Sequence, residues 1–64
     1  MQQQRIVAQT CIGYHLLSNG VLASVIRNTW ADGRVDYSLT SYDRNGYAQI
    51  SIPQLTRPRI DKPA

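Results

Sequence analysis

Apolar and polar residues alternate along the stretch from Thr29 to Ile52, on both sides of two turn signals. The signals are the dipeptides Asp32-Gly33 and Asn45-Gly46. Asp-Gly and Asn-Gly favour two-residue type I′ turns, in which both central residues need positive φ. Because such a turn also sets the register of the strands that it joins, the pattern predicts two successive β-hairpins with defined residue pairs.

The two predicted turns agree about which face of the sheet is apolar. On this dry face the first turn pairs Ile26 with Leu39, Asn28 with Tyr37 and Trp30 with Val35. The second turn adds Ser41 with Ile50 and Leu39 with Ile52. The opposite face then carries Arg27 with Ser38, Thr29 with Asp36 and Tyr42 with Gln49. Because Leu39 takes part in both hairpins, the dry face is expected to extend over three strands.

Residues 5–26 admit two interpretations. If Ser18-Asn19-Gly20 is a three-residue loop with its glycine in the left-handed conformation, the dry face continues through Leu16 with Leu22, Ile12 with Ile26 and Thr10 with Asn28. A helix is the alternative, because Val7, Cys11 and Tyr14 recur at helical spacing. We prefer the strand, because its register agrees with the two hairpins. The sequence thus predicts an all-β fold, a small antiparallel four-stranded meander over residues 5–52, with an α+β fold containing a helix within residues 5–26 as the alternative.

The two ends of the chain differ from this central domain. Residues 1–4 are expected to form a short, polar and flexible lead, and residues 53–64 a basic tail that holds all three prolines. Pro53 has no N–H group and is expected to end the last strand. The tail offers two large apolar residues, Leu55 and Ile60. Two interpretations of the tail remain open, a solvated segment and an arm that lies on a partner.

The dry face needs a cover, because an amphipathic layer is stable only when it packs on another layer. The tail is too short to provide that layer for a flat sheet. The sheet is therefore expected to curl into a small open barrel, to meet a second copy face to face, or to keep its dry face for a different protein. For a homodimer, the predicted self-association residues are Trp30, Tyr37, Leu39 and Ile50.

Length and composition restrict the remaining possibilities. A chain of 64 residues buries only roughly 60% of the surface that its unfolded form exposes. Cys11 is the only cysteine and His15 the only histidine, so an intramolecular disulfide and a zinc site are both excluded. The sequence has neither a convincing signal peptide nor an apolar span, and its cysteine is unpaired. We therefore expect a cytoplasmic protein without membrane contact.

Catalytic chemistry is not indicated by the residues. Cys11 and His15 are four positions apart, which would place them on one side of a strand, but no third residue is evident to orient them. Asp36 is the only acid in a strand interior, so no carboxylate pair is suggested. No glycine-rich phosphate loop is present. The chain is predicted to be non-enzymatic, with no cofactor and no metal.

Tyrosine and arginine side chains on the polar face and in the tail form the predicted binding surface. The predicted partner-binding residues are Arg27, Arg34, Tyr42, Arg44, Tyr47, Arg57 and Arg59. Tyr and Arg are enriched in the hot spots of protein interfaces. Aromatic and basic side chains on an exposed sheet also hold single-stranded nucleic acid. A net charge of only +3, with a single lysine, favours a protein as the partner.

The sequence thus predicts a small protein-binding module, of the kind that phages or plasmids use as an inhibitor or adaptor of host machinery. This expectation rests on size, because a single β-domain of this length has room for a binding surface and little else. The alternative is a small single-stranded nucleic-acid-binding protein that uses the Tyr/Arg face of the sheet.

Overall fold

The computed structural model describes residues 4–42, 45–46 and 48–64, with the backbone alone for residues 48–50. Within these residues the chain forms one antiparallel sheet and no helix. The strands are β1 (Ile6–Leu16), β2 (Leu22–Trp30), β3 (Val35–Tyr42), β4 (Ala48–Gln54) and β5 (Lys62–Pro63). They lie in the order β4-β3-β2-β1-β5, and the sheet is not closed into a barrel. The all-β prediction is confirmed, and the alternative with a helix within residues 5–26 is wrong.

The loop between β1 and β2 has the predicted form. The N–H of Leu17 donates to the carbonyl oxygen of Val21 at 2.8 Å, and the N–H of Gly20 donates back to Leu17 at 2.9 Å. Gly20 has a φ of 86°, as the third residue of such a loop requires. Leu16 therefore pairs with Leu22, as predicted.

The loop between β2 and β3 differs from its prediction by one residue. Trp30 N–H donates to the carbonyl oxygen of Arg34, which leaves Ala31, Asp32 and Gly33 as a three-residue loop. Only Gly33 has positive φ, since the Asp32 carboxylate accepts the N–H of Arg34 at 3.0 Å in a local turn that needs no positive φ at Asp32. The predicted two-residue turn is wrong.

Every predicted pair between β2 and β3 is consequently wrong by one position. The observed partners are Val25 with Leu39, Ile26 with Ser38, Arg27 with Tyr37, Asn28 with Asp36 and Thr29 with Val35. A slip of one residue moves all the side chains of a strand to the other face of the sheet. Trp30 and Ile26 therefore lie on the face opposite Leu39, and the single dry face of the prediction does not exist.

Strand β1 carries two register shifts, between Ile6 and Ala8 and between Cys11 and Gly13. The second shift makes Ile12 an extra residue that has no partner on β2. On the N-terminal side of Ile12, the observed pairs are Cys11 with Ile26, Thr10 with Arg27 and Gln9 with Asn28. The predicted pairs Ile12 with Ile26 and Thr10 with Asn28 are wrong for this reason.

The register between β3 and β4 is mostly as predicted. Leu39 pairs with Ile52 and Ser41 with Ile50, which confirms both predicted pairs. A further shift follows Ser41, so that Tyr42 pairs with Ala48 and not with Gln49. Asn45 does not have the positive φ of a type I′ turn, although Gly46 does, at 84°.

Pro53 lies inside β4, so the prediction that it ends the strand is wrong. Successive residues of a strand direct their N–H and C=O groups alternately to one neighbouring strand and to the other. Because Trp30 N–H bonds the carbonyl oxygen of Arg34, alternation along β3 directs the backbone groups of Leu39 away from β2 and toward those of Ile52 on β4. The nitrogen of Pro53, one residue further on, faces away from β3. Because β4 is at the edge of the sheet, no ladder hydrogen bond is lost.

One face of the sheet, here called the covered face, holds the apolar core. Ala23, Val25 and Leu39 are buried there, with Val25 completely enclosed. The partly buried side chains that pack against them are Ile12, Leu17, Tyr37 and Ile60. Ile60 belongs to the segment that connects β4, at one edge of the sheet, with β5 at the other edge. The tail thus crosses its own sheet and covers the core, which the sequence analysis had judged it too short to do.

Gly13 is the point of closest approach between the tail and the sheet. It pairs with Pro63 of β5, and its φ is 153°. A methyl group added at Gly13 would lie 2.7 Å from Cγ2 of Ile60 and 2.9 Å from the carbonyl oxygen of Lys62. The missing side chain at this position therefore makes the room that Ile60 occupies.

Gly13→Ala is expected to destabilise the fold by about 1–3 kcal/mol, because the added methyl group overpacks this contact. Urea denaturation measures the difference. Gly20→Ala is the matched control, because it also replaces a glycine at positive φ but places its methyl group in open space. Ile60→Ala should cost less in the Gly13→Ala background than in the parent chain. Equal stability of the two glycine variants would contradict the close contact.

Candidate functional site

The second face of the sheet, here called the open face, is the one that the tail does not cross. It contains a groove with a volume of about 220 Å³. The residues that line the groove come from all four long strands and are Gln9, Cys11, Ile26, Ser38, Thr40, Tyr42 and Ser51. Polar residues predominate, and none of the side chains is charged. The groove is the candidate binding site of the chain.

A hydrogen-bond network beside the groove holds its wall in place. The Asn28 side chain is buried, at 3% exposure, and its amide nitrogen donates to the carboxylate of Asp36 at 3.0 Å and to the hydroxyl of Ser38 at 2.9 Å. Its amide oxygen accepts a hydrogen bond from the amide nitrogen of Gln9 at 2.9 Å. The network therefore links β1, β2 and β3 across the open face and satisfies the buried amide completely.

Aromatic side chains lie at the two ends of this polar centre. Trp30 donates its ring N–H to the second carboxylate oxygen of Asp36 at 2.9 Å, and the guanidinium of Arg34 lies 5.4 Å from the centre of its ring. Arg34 is held there by Asp32 at 2.9 Å and by Gln4 at 2.7 Å. At the other end of the groove, Tyr42 is 54% exposed.

The predicted partner-binding residues do not form one surface. Tyr42 lines the groove on the open face, whereas Arg27 pairs with Tyr37 and lies on the covered face. Arg34 lies beside the loop between β2 and β3, close to the Trp30 end of the open face. Arg57 and Arg59 belong to the tail. Arg44 and Tyr47 lie outside the described residues.

The predicted self-association residues are also separated. Tyr37 and Leu39 are on the covered face, where the tail packs over them, and Trp30 is on the open face. Ile50 pairs with Ser41 through its backbone, and the structure does not describe the side chain of Ile50. The prediction that these four residues share one dry face is wrong, because it depended on the two-residue turn at Asp32-Gly33.

The polar residues that build the network on the open face were not among the predicted binding residues. Asp36 and Ser38 of the network and Thr40 of the groove lining alternate along β3, and this period of two was visible in the sequence. Asn28 lies on the same face as these residues only in the observed register, which differs by one residue from the predicted one. The predicted register placed Asn28 on the dry face, opposite Tyr37 and Thr10, away from the residues that it bonds in the structure.

Cys11 and His15 lie on opposite faces of the sheet. The sequence analysis expected them on one side, because four residues separate them, but the extra residue at Ile12 reverses the alternation. Cys11 lines the groove, and its thiol donates to the carbonyl oxygen of Gly13 at 3.6 Å. His15 lies beside the tail. In the part of the chain that is described, no three of the residue types His, Cys, Asp and Glu come together in a way that holds a metal ion.

A polar clasp joins β1 to the tail on the covered side. Asp61 accepts the backbone N–H of Leu16 at 2.8 Å and the guanidinium N–H of Arg59 at 2.7 Å. His15 donates its Nδ1–H to the carbonyl oxygen of Arg59 at 2.8 Å, and the same ring nitrogen lies 3.4 Å from the Asp61 carboxylate. These contacts fix the tail at the point where β5 begins.

The clasp lowers the pKa of Asp61 below its ordinary value of 3.8. The largest cause is the hydrogen bond from the backbone of Leu16, followed by the hydrogen bond and charge of Arg59 and by the charge of His15, while desolvation acts in the opposite direction. A donor that favours the ionised carboxylate lowers its pKa. The ionised form of Asp61 is therefore the one that holds the tail.

Asn28→Ala is expected to destabilise the fold by about 1–3 kcal/mol, because it leaves Asp36 and Ser38 beside an empty, partly buried position. Chemical denaturation followed by Trp30 fluorescence gives the value. Thr10→Ala is the control, since Thr10 is an exposed residue of the same strand that lies on the covered face outside the network, and its loss should cost about 0.5 kcal/mol or less. If both variants are as stable as the parent, the network does not support the groove.

Acidification should weaken the clasp. A carboxyl group whose pKa is lowered by folding stabilises the fold above its unfolded pKa, and this contribution is lost as the pH falls through the folded pKa. Below about pH 4 the parent is therefore expected to lose stability more steeply than Asp61→Asn, whose side chain does not titrate. Urea midpoints at about pH 6 and about pH 3 measure both slopes. Parallel slopes would show that the Asp61 carboxylate does not hold the tail.

No helix that could span a lipid bilayer occurs in the part of the chain that the structure describes. The chain was also compared with known proteins by sequence and by structure. No protein-family model, no curated protein and no solved structure matches it.

Proposed function

We propose that this chain is a small non-enzymatic protein-binding module that takes an extended segment of a partner protein into the groove on the open face. The observation that carries the proposal is the lining of the groove, in which hydroxyl and amide side chains surround Ile26 and the ring of Tyr42. The covered face is occupied by the chain's own tail. The open face is therefore the face that the tail leaves free for a partner.

The chemistry of the lining suits a polypeptide. A hydroxyl group both donates and accepts a hydrogen bond, so Ser38, Thr40 and Ser51 can pair with either the N–H or the C=O groups of a partner backbone. Tyr42 adds a half-exposed aromatic ring of the kind that is enriched in protein interfaces. The buried Asn28 network keeps the wall rigid, which lowers the entropic cost of binding.

The placement of charge argues against nucleic acid in the same groove. Single-stranded nucleic acid is held by basic side chains that follow its phosphates and by aromatic rings that stack its bases. The groove-lining side chains are neutral, whereas Arg27 lies on the covered face and Arg57, Arg59 and Lys62 lie in the tail. Arg34 lies over the ring of Trp30, outside the groove lining, so the ring of Tyr42 has no cationic side chain beside it among the described residues that line the groove.

The size of the chain fits an accessory role inside a cell. A chain of 64 residues with a groove and a short tail has enough surface to occupy or connect other proteins. We therefore propose that it is one of the small cytoplasmic inhibitors or adaptors that phages and plasmids direct at host machinery.

Tyr42→Ala is expected to weaken binding of the partner by at least about tenfold, because the half-exposed ring lies in the groove, where a partner can cover it. The partner is first captured with the tagged parent chain from its source cells, and its affinity is then measured with purified proteins. Arg27→Ala is the matched control, since Arg27 is exposed on the covered face and its loss should change affinity by less than about twofold. The proposal is wrong if Arg27→Ala weakens binding and Tyr42→Ala does not.

A single-stranded oligonucleotide tests the alternative function. Affinity for nucleic acid falls steeply with salt when phosphates are neutralised by basic residues. We expect no binding at physiological salt. Tight binding with a steep salt dependence, reduced by an Arg57→Ala and Arg59→Ala double variant, would replace the protein-binding proposal with the nucleic-acid one.

A further inference from the structure

Thr40 is the most enclosed of the residues that line the groove. It is 8% exposed, and it lies on the open face between Ser38 and Tyr42 of β3. In the part of the chain that the structure describes, the Thr40 hydroxyl makes no hydrogen bond to a side chain or to the backbone. Buried polar groups in proteins nearly always have a hydrogen-bond partner, so an enclosed hydroxyl without one calls for an explanation.

The hydroxyl oxygen of Thr40 opens into the groove. Among the described residues, every side-chain oxygen or nitrogen atom that is fully enclosed has a hydrogen-bond partner. Since the Thr40 oxygen has none, it must keep some contact with the surface. Alternation along β3 directs the Thr40 side chain to the open face, where the groove lies. Thr40 therefore presents an unused donor and an unused acceptor within the wall of the groove.

Ser51 lies directly opposite Thr40, on β4. Because Leu39 and Ile52 direct their backbone groups toward each other, the next pair, Thr40 with Ser51, is one without backbone hydrogen bonds between its two residues. The Cα atoms of such a pair are about 4.5 Å apart, which brings the two side chains close together. The Ser51 hydroxyl likewise has no hydrogen-bond partner among the described residues.

Two neighbouring hydroxyl groups can bind one oxygen atom between them. A carbonyl oxygen has two lone pairs and can accept a hydrogen bond on each. Hydroxyl donors that lie about 2.7–2.8 Å from the same oxygen, along its two lone pairs, are about 5 Å from each other. This separation matches the spacing of side chains that lie directly opposite each other in a sheet, which is about 4.5–5.5 Å between Cβ atoms.

The other residues of the groove restrict the chemistry of that oxygen. The Ser38 hydroxyl already accepts the amide of Asn28, so it is partly used. The described lining includes no charged side chain, and a carboxylate placed there would lose water without gaining a cation. A neutral carbonyl oxygen avoids this cost. The ring of Tyr42, two residues beyond Thr40 on the same face, can cover the group that carries the oxygen.

From the enclosed hydroxyl of Thr40, the position of Ser51 and the neutral lining, we propose that these two residues form a subsite for the carbonyl oxygen of an amide group. The amide belongs to the segment that the groove binds, so the inference rests on the proposed function and names the contact that gives it specificity. Each hydroxyl donates one hydrogen bond to the oxygen. Thr40 is the specificity-determining residue, because a partner left unpaired in an enclosed place costs more than one left in water.

Thr40→Val tests the hydroxyl without any ligand, because valine keeps the shape of threonine and lacks the hydroxyl group. A hydroxyl that bonds no group of its own chain contributes no hydrogen bond to the fold. The urea midpoint of Thr40→Val should therefore be no lower than that of the parent chain. A lower midpoint would show that the hydroxyl is bonded within the chain, which overturns the proposal.

Peptides selected from a random library displayed on phage, with the full-length parent chain as the target, are the probes of binding. Thr40→Val should weaken the affinity of a selected peptide about tenfold, because the carbonyl oxygen loses a donor in an enclosed place. Thr40→Ser keeps the hydroxyl and should weaken it about fourfold at most, which is the effect of one lost methyl group. Thr10→Val makes the matched change at an exposed position of the covered face and should leave the affinity unchanged.

The outcomes separate this inference from the proposed function. If Tyr42→Ala weakens binding of the selected peptides and Thr40→Val does not, the groove binds peptides and the carbonyl subsite does not exist. If neither variant weakens binding, the peptides lie elsewhere, and the proposed function fails together with the inference. A library that yields no binding peptide has the same consequence.

The amide is either a peptide bond of the segment or the side chain of an Asn or Gln residue, and changes in the selected peptide separate the two sources. If a side chain supplies the oxygen, alanine at that position lowers the affinity for the parent chain and not for Thr40→Val. If a peptide bond supplies it, replacement of that bond by an ester, whose carbonyl is a weaker acceptor, has this effect. The proposal is overturned if no replacement is coupled to Thr40, since the oxygen would then not contact its hydroxyl.

Discussion

A lone β-sheet must cover one of its faces, and in this chain the cover depends on the contact between Ile60 and Gly13. The tail can lie close to β1 only because Gly13 has no side chain, and the core around Val25 is enclosed only because Ile60 lies there. The pairing of β5 and the Asp61 clasp hold the tail in this position. The buried apolar core is small, so the last residues of the chain are part of the fold and not an appendage to it.

Covering one face with the tail leaves the other face free for function. The open face can remain polar because its buried groups are paired with each other. Asn28 uses its amide oxygen and both amide protons, and Asp36 accepts hydrogen bonds from Asn28 and Trp30. A polar surface that satisfies its buried groups stays rigid without a ligand, and its outer hydroxyl groups remain available to one. The groove is consistent with a binding role, and no contact on the open face requires a second chain to complete the fold.

The irregular register of β1 determines which reactive side chain lies on each face of the sheet. An extra residue at Ile12 turns Cys11 toward the groove and leaves His15 beside the tail. The register shift between Ile6 and Ala8 lies in the part of β1 that β5 leaves unpaired, and an irregular edge pairs poorly with foreign strands. Pro53 has a similar effect on the edge formed by β4, since its nitrogen cannot donate to a neighbouring chain. Both edges of the sheet are thus protected by features within the strands themselves.

Local sequence patterns were sufficient to predict the four long strands, the three-residue loop at Ser18-Asn19-Gly20, and the register between β3 and β4 as far as Ser41. These depend on local alternation and on single glycines, which act over a few residues. The face of the sheet on which each side chain lies could be known only from the tertiary structure. Whether Asp32 or only Gly33 takes positive φ changes the loop by one residue, and this small local difference reverses every side chain of a strand. The path of the tail was equally hidden, because the contact of Ile60 with Gly13 joins residues that are distant in the chain and leaves no periodic signal in the sequence.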